Sequence, residues 1–296
     1  MMKRNIKLIF AFFLVAVILV GCNTQKNMNK KNQTGGGKLS GTITAAGSTA
    51  LQPLAEEAAT EFMSNNPSVS ITIQGGGSGT GVNQVTSGAV QIGNSDVPAS
   101  EKLSDPALAK DLVETKVAGI GYSIVINKDV TVTSLTLKQI QDIFSGAITN
   151  WKDVGGKDEK INVINRPAAS GTRAAFEKTV MSGVKINDSV GTVQDSNGAV
   201  EQAINSTPGT ISYLANSYLV GDKKNALTIV QIDGNDSSID NITNGKYPFY
   251  SYEYMITKGD LKDPGKSYID FVKGDDFAVK VEEMGYVPMS KMGNLK

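Results

Sequence analysis

An α/β fold is the class that this sequence predicts, on three observations. The chain has 296 residues and 40% hydrophobic content, which is enough for a substantial core. Short stretches of strand-forming residues lead four times into a polar loop containing glycine and then into apolar residues at helical spacing. No period of roughly 20 to 50 residues repeats along the chain, which excludes solenoid architectures.

The amino terminus has the order of a signal peptide that ends at a lipidation site. Basic residues precede an apolar run of 13 residues at 8–20, shorter than the roughly 20 residues that span a bilayer. Leu19–Cys22 resembles the lipobox of bacterial lipoproteins. We therefore expect a signal peptide over 1–21 and a diacylated Cys22 that anchors the protein at the extracytoplasmic face of a bacterial cell membrane. An uncleaved membrane anchor with an incidental cysteine is the alternative.

Residues 22–38 are interpreted as the lipidated cysteine followed by a flexible linker. This segment contains almost no side chain that could pack into a core. The function is therefore expected in residues 39–296.

Two absences in the composition exclude whole classes of enzyme. The chain has no histidine and a single cysteine, so zinc sites, histidine-based triads and paired cysteine nucleophiles are excluded. Its 29 basic and 29 acidic residues cancel, which argues against nucleic-acid binding. We expect a binding protein rather than an enzyme, with no cofactor and no metal.

Four predicted helices start at loops that contain glycine and hydroxyl side chains. Such helix starts offer unpaired backbone N–H groups and the positive end of a dipole, and several aimed at one point would bind an oxyanion. A single loop of this kind is more often a capped helix without a ligand, with Ser48 or Thr49 a natural N-cap in the first. The four loops are Gly47–Ala50, Gly75–Gly81, Pro167–Arg173 and Asp195–Gly198.

The glycine-rich second loop fits none of the common nucleotide or hydrolase motifs. It lacks the Gly-Lys-Ser/Thr ending of a P-loop and does not fit G-x-G-x-x-G. The hydrolase elbow G-x-S-x-G would need glycine where Thr80 stands.

Asp96 and Arg166 are the charged residues that would complete an oxyanion site. Each follows a predicted strand and lies beside a polar loop. Arginine offers forked donors to an oxyanion, and a carboxylate accepts the proton that phosphate carries near neutral pH but repels fully ionised sulfate. The alternatives are a turn residue for Asp96 and a surface salt bridge for Arg166.

Four ordered segments resemble the PstS-type phosphate-binding lipoproteins of phosphate ABC transporters, in the periplasmic-binding-protein family. They are Ala46–Thr49, Gln74–Gly81, Gly93–Asp96 and Arg166–Arg173. The resemblance implies a type II fold, in which two α/β lobes are joined by two crossover strands and enclose the ligand. It further implies capture of inorganic phosphate and its delivery to the permease subunits of an ABC transporter.

The resemblance also assigns the phosphate-binding residues. They are Ser48, Thr49, Ala50, Ser78, Ser95, Asp96, Arg166, Ser170, Gly171 and Thr172, with Asn197 a weaker candidate from its position at a helix start. Some family members carry an aspartate two places after the arginine, where this chain has Ala168. That departure puts the affinity in question, though not the class of ligand.

By the same resemblance, lobe I would combine residues 39–122 with 251–296, and lobe II would be 123–250. The crossovers would lie in Gly121–Asn127 and Tyr247–Tyr254, which have the β-branched and aromatic bias of strands. The alternative is that both segments are ordinary strands within one domain.

Other functions remain open from sequence. One is a binding protein for another oxyanion or an organic phosphate. A lipoprotein phosphatase or esterase, using Ser78 or Ser170, is disfavoured by the lack of histidine. An adhesion or signalling lipoprotein is a third. We expect a monomer whose partners are phosphate, the permease and the membrane.

Overall fold

The computed structural model describes residues 38–293, which form a mixed α/β structure around a large sheet. The predicted signal peptide at 1–21, Cys22 and all but the last residue of the 22–38 segment lie outside the described residues. Between 38 and 293 there is no helix with the length and apolar character to cross a membrane.

Eleven strands are present among the described residues. They are β1 (Gly41–Gly47), β2 (Val69–Gln74), β3 (Ile92–Ser95), β4 (Leu112–Ile126), β5 (Ser134–Leu135), β6 (Asn162–Asn165), β7 (Thr192–Val193), β8 (Thr210–Ala215), β9 (Thr228–Ile232), β10 (Tyr250–Lys258) and β11 (Tyr286–Val287).

Eight α-helices accompany these strands in the same part of the chain. They are α1 (Gln52–Asn65), α2 (Ser78–Ser87), α3 (Leu137–Ser145), α4 (Gly171–Phe176), α5 (Asn197–Ser206), α6 (Ile239–Thr243), α7 (Gly265–Val272) and α8 (Ala278–Glu283).

The strand order is β2-β1-β3-β10-β4-β8-β6-β7, with β9 and β11 also paired to β4, and β5 paired to β9. β1 runs parallel to β2 and β3, whereas β10 runs antiparallel to β3 and β4. The parallel strands direct their carboxyl ends, and the loops that follow them, to one edge of the sheet. This placement brings the first two glycine-containing loops next to Asp96.

β4 is the strand that joins the two ends of the sheet. Its first part, Leu112–Gly121, pairs with β10, and its second part, Tyr122–Ile126, pairs with β8. The change of partner between Gly121 and Tyr122 is the pattern expected of a crossover strand. The lobe boundaries themselves stay a prediction, because residues 38–293 pack as one compact unit.

Helix α1 packs on the sheet through the apolar face that its spacing predicts, including Leu54, Ala58 and Phe62. It begins at Gln52, so the predicted N-cap at Ser48 or Thr49 is wrong. The physical reason is the turn that precedes the helix, together with Pro53, which fits a first helical turn because it has no N–H to satisfy.

Helix α3 has a capping motif at each end. Thr136 and Gln139 form a capping box, in which each side chain accepts the backbone N–H of the other residue. Gly146 ends the helix in the left-handed region at φ 84°, a conformation that glycine adopts without strain.

Candidate functional site

The loop after β1 presents Thr49 from a turn that Ser48 holds together. The Ser48 hydroxyl accepts the backbone N–H groups of Ala50 and Leu51, both at 3.0 Å. The Ala50 N–H is thus engaged within its own turn. Thr49 Oγ1 accepts the backbone N–H of Asn197 at 3.2 Å and its side-chain amide at 3.0 Å. Two distant loops, both predicted as site loops, therefore meet directly.

Ser78 is the first residue of α2, and its side chain is fully buried. Gly77 before it has a φ of 86°, a left-handed conformation that favours glycine. The Ser78 Oγ accepts the backbone N–H of Asp96 at 3.0 Å. Because this bond uses a lone pair of the hydroxyl, the Ser78 proton is left to be donated.

Asp96 follows β3 and is buried, with 2% of its surface exposed. Its Oδ2 accepts a hydrogen bond from Thr172 Oγ1 at 3.1 Å, whereas no N–H or O–H donor of residues 38–293 is assigned to its Oδ1. An ionised carboxylate has about four acceptor positions, so this group can accept hydrogen bonds from further donors. The neighbouring Ser95 is turned away, since its hydroxyl donates to the Val97 carbonyl at 2.6 Å.

Arg166 follows β6 and is 1% exposed. Its Nε donates to the carbonyl of Gln194 at 2.9 Å and its Nη2 to the carbonyl of Asp195 at 3.1 Å. Its Nη1 has no acceptor within the described part of the chain. Burial lowers the pKa of Arg166, and a guanidinium, with an ordinary pKa above about 12, still keeps its charge. The site therefore contains a buried cation with a free donor.

The third loop closes over Ser78 and Asp96 at Gly171. A Cβ added at Gly171 would lie 2.0 Å from the Ser78 Oγ and 2.8 Å from the Asp96 Cβ, so only glycine fits at this contact. Ser170 caps α4 by accepting the backbone N–H of Arg173 at 3.1 Å. The backbone of this loop thus lies directly against Ser78 of the second loop and against Asp96.

Aromatic packing fixes the helix that carries this loop. Phe176, at the end of α4, stacks on Tyr213 of β8 with ring centroids 4.2 Å apart. Both rings are fully buried. The position of Thr172 relative to Asp96 is therefore set by the core.

Further direct bonds join residues of predicted lobe I to residues of predicted lobe II. The Gly79 N–H donates to the Ala169 carbonyl at 2.9 Å. Lys102 Nζ donates to the carbonyls of Ala168 and Ser170 at 2.9 and 2.8 Å. Burial lowers the pKa of Lys102, with the Asp96 charge acting in the opposite direction.

Six of the eleven predicted site residues meet directly: Ser78, Asp96, Gly171 and Thr172 form one group, and Thr49 bonds to Asn197. The other five are Ser48, Ala50, Ser95 and Ser170, which bond within their own turns, and Arg166, which bonds to the carbonyls of Gln194 and Asp195. A cavity of about 250 Å³ reaches Asp96 from the side of β10 and is also lined by Tyr250, Tyr252 and Tyr254. Groups of three or more histidine, cysteine or acidic side chains that could hold a metal are absent from residues 38–293.

Two residues of the site have no motif in the sequence and were not predicted. Lys102 lies on an irregular segment, where nothing distinguishes it from other lysines. Glu253 lies within a predicted crossover strand, is fully buried, and has its pKa raised by burial and by the nearby Asp96 charge. Its signal was available: it is a lone acid in a strand otherwise rich in aromatic and apolar residues.

Comparison with known proteins places the chain in a family. A profile described as PBP superfamily domain matches residues 32–276. The phosphate-binding protein PstS of Bacillus subtilis is 41% identical over 98% of this chain and 96% of its own length. PstS of Borreliella burgdorferi is 26% identical over 97% of this chain and 99% of its own.

Solved structures of phosphate-binding proteins are also similar to this chain. A candidate phosphate ABC transporter substrate-binding protein from Clostridium perfringens, solved with bound phosphate, has a TM-score of 0.77 and 30% identity, and the match covers 84% of this chain and all of that one. An ABC-type phosphate transport receptor from Vibrio cholerae has a TM-score of 0.65 and 28% identity over 83% of this chain and 99% of that one. The chain belongs to the PBP superfamily and, within it, to the family of PstS phosphate-binding proteins.

Proposed function

We propose that this protein captures inorganic phosphate outside the cytoplasm and delivers it to the permease of an ABC transporter. The observation that carries the proposal is Arg166, a buried guanidinium held by two backbone carbonyls, with Nη1 free and with no carboxylate in ion-pair distance among the described residues. A buried cation without a counter-ion is costly unless an anion completes it.

The residues around Arg166 fit phosphate among the anions. The Ser78 hydroxyl and the free Nη1 of Arg166 would donate to phosphate oxygens, and the Thr172 hydroxyl would do the same by turning away from Asp96 Oδ2. Asp96 would accept the proton that phosphate still carries near neutral pH. Sulfate has no such proton, so its oxygen would face the Asp96 oxygen as a second acceptor in a desolvated site.

Binding would favour the closed arrangement of two lobes, 39–122 with 251–296 and 123–250. Asp96 of the first lobe already bonds to Thr172 of the second. A ligand that bonds to both shifts an open–closed equilibrium by the difference in its affinity for the two states. The closed form would then dock on the permease as a monomer and would release the phosphate there without a chemical step.

The proposed location rests on the amino terminus. A signal peptide over 1–21 and acylation of Cys22 would anchor the protein at the extracytoplasmic face of the cell membrane, with the linker to residue 38 as a tether. Metabolic labelling with a fatty-acid analogue would test this; label that persists in a Cys22→Ser variant contradicts it.

Isothermal titration of the full-length protein in detergent with phosphate tests the site. We expect tight phosphate binding and weak sulfate binding in the wild type. Asp96→Asn should reduce the ratio of phosphate to sulfate affinity by about tenfold or more, because an amide can donate to sulfate.

Glu61→Gln, an exposed residue of α1, is the control for removal of one negative charge. Titration with an organic phosphate and a phosphonate would separate inorganic phosphate from the other ligands of this chemistry. Equal phosphate and sulfate affinity in the wild type would contradict the proposal.

A further inference from the structure

Glu253 is a buried acid that the phosphate site described above does not use. It lies on β10, is fully buried, and no N–H or O–H donor within residues 38–293 is assigned to either carboxyl oxygen. A buried carboxylate without donors would cost several kcal/mol, so this group must be neutral or paired.

Strand register places Glu253 next to Asp96. In the antiparallel pair of β10 and β3, Tyr254 lies opposite Ser95, so one further step along the ladder puts Glu253 opposite Asp96. The register of β10 against β4 shifts between Glu253 and Tyr254, an irregularity of the kind that re-aims a side chain. The Asp96 charge raises the pKa of Glu253, which agrees with this placement of the two carboxyl groups side by side.

A shared proton can link these two carboxyl groups. Three of its four carboxyl oxygens have no assigned donor, namely Oδ1 of Asp96 and both oxygens of Glu253. Two carboxylates in contact in a desolvated place cannot both be ionised, so they share a proton.

The surroundings indicate which residue holds the proton. Burial raises the pKa of Glu253 well above its ordinary value, and the nearby Asp96 charge raises it further. The other titratable groups that face Glu253 are the tyrosines Tyr122, Tyr254 and Tyr286, which are neutral near pH 7. The cations Arg166 and Lys102 interact with the Asp96 charge and are not among the groups that shift the pKa of Glu253.

We propose that Glu253 is a positioning residue of the phosphate site, which stays protonated and donates its O–H to the Asp96 carboxylate. This inference rests on the proposed function for its effect on phosphate. The donated bond fixes the rotamer of Asp96 and keeps its charge in place, so that a remaining lone pair accepts the ligand's proton. Glu253 therefore supports selectivity without touching the ligand.

The pH dependence follows from the sign of the shift. The contribution of neutral Glu253 is fully present at low pH and is lost as pH rises through its raised pKa. Ionised Glu253 places a second negative charge beside Asp96 and weakens the binding of any anion. E253Q cannot ionise and still offers an N–H donor, so its phosphate affinity relative to the wild type should rise with pH.

Phosphate titrations of the full-length wild type, E253Q and E253L in detergent from about pH 6 to about pH 9 test the proposal. We expect E253L to bind phosphate about tenfold more weakly, because the donor to Asp96 is lost, and E253Q to recover most of that loss. E61Q is the control for removal of one charge. If E253L and E253Q both follow the wild-type affinity at every pH, the proposal is wrong.

Infrared spectroscopy gives a readout that does not need phosphate. The wild type should show the carbonyl stretch of a buried protonated carboxyl group near neutral pH, and E253Q should lack it. The absence of that band in the wild type would overturn the proposal even if phosphate binds, and its presence would support the shared proton even if phosphate does not. If E253L does not fold, the E253Q variant alone tests the proposal, through its infrared carbonyl band and the pH dependence of its phosphate affinity.

Discussion

Two backbone carbonyls, rather than a carboxylate, hold the guanidinium of Arg166. The carbonyl groups orient the guanidinium without neutralising its charge. Ala168, two residues further on, has no carboxylate that could compete with an anionic ligand for this charge. The charge therefore stays available to an anion. The position of the guanidinium depends on the backbone of Gln194 and Asp195. No local sequence pattern links these two residues to Arg166.

Arg166→Lys should weaken phosphate binding by about tenfold to a hundredfold, although the charge is kept. A lysine ammonium is a point charge and cannot hold the two carbonyls and still direct a donor at the ligand. Calorimetric titration with phosphate measures the loss. Lys138→Ala, which removes an exposed cation of α3, is the control. Equal affinities of Arg166→Lys and the wild type would show that the fork is unimportant.

At the scale of elements, the site is made of helix starts that follow strands. α2, α4 and α5 begin at Ser78, Gly171 and Asn197, inside the loops that the sequence marks with glycine and hydroxyl groups. Glycine conformations and caps are local, and for this reason they are readable from sequence. The start of α1 was misplaced because a turn closed by Ser48 can precede a helix without capping it.

Long-range contacts are the part of the site that sequence could not provide. Glu253 meets Asp96 through the register of two strands far apart in the chain, and Lys102 reaches its carbonyls from an irregular segment. Likewise, no local pattern marks the change of partners along the 15 residues of β4, and a crossover was predicted there only from the family resemblance. Such pairings depend on the whole fold rather than on neighbouring residues.

Thr136→Ala tests whether a cap that is predictable from local sequence stabilises the fold. Loss of the capping box of α3 should lower the free energy of unfolding by about 1 kcal/mol, because the Gln139 N–H loses its acceptor. Urea unfolding followed by circular dichroism measures it. Thr131→Ala, at an exposed position outside a helix, should leave stability unchanged. A loss equal in both variants would contradict a role for the cap.

For the whole molecule, the contacts around the site act between parts distant in sequence. Thr49 with Asn197, and Lys102 with Ser170, are examples in which protein bonds directly to protein. The tightest approach is at Gly171, where backbone lies against Ser78 and Asp96. A small increase in side-chain size there should act on closing rather than on folding.

Gly171→Ala should reduce phosphate affinity by about tenfold or more while leaving the unfolding temperature without phosphate unchanged or slightly higher. The added methyl group would collide with Ser78, whereas alanine is the better helix former within α4. Calorimetry and thermal unfolding measure the two effects. The control is Gly293→Ala, whose added Cβ meets no atom within 4 Å. A fall in both affinity and stability would place the clash in the folded core instead.

The direct bond between Thr49 and Asn197 has a consequence for transport as well as for affinity. Because this bond forms without phosphate, it would contribute to the free energy of the proposed lobe closure even in the empty protein. A stronger bond would raise the fraction of empty molecules in the closed form, and if that form docks on the permease as proposed, more empty protein would occupy it. A strong contact would therefore help the protein to retain phosphate, whereas a weak contact would keep empty protein from docking on the permease.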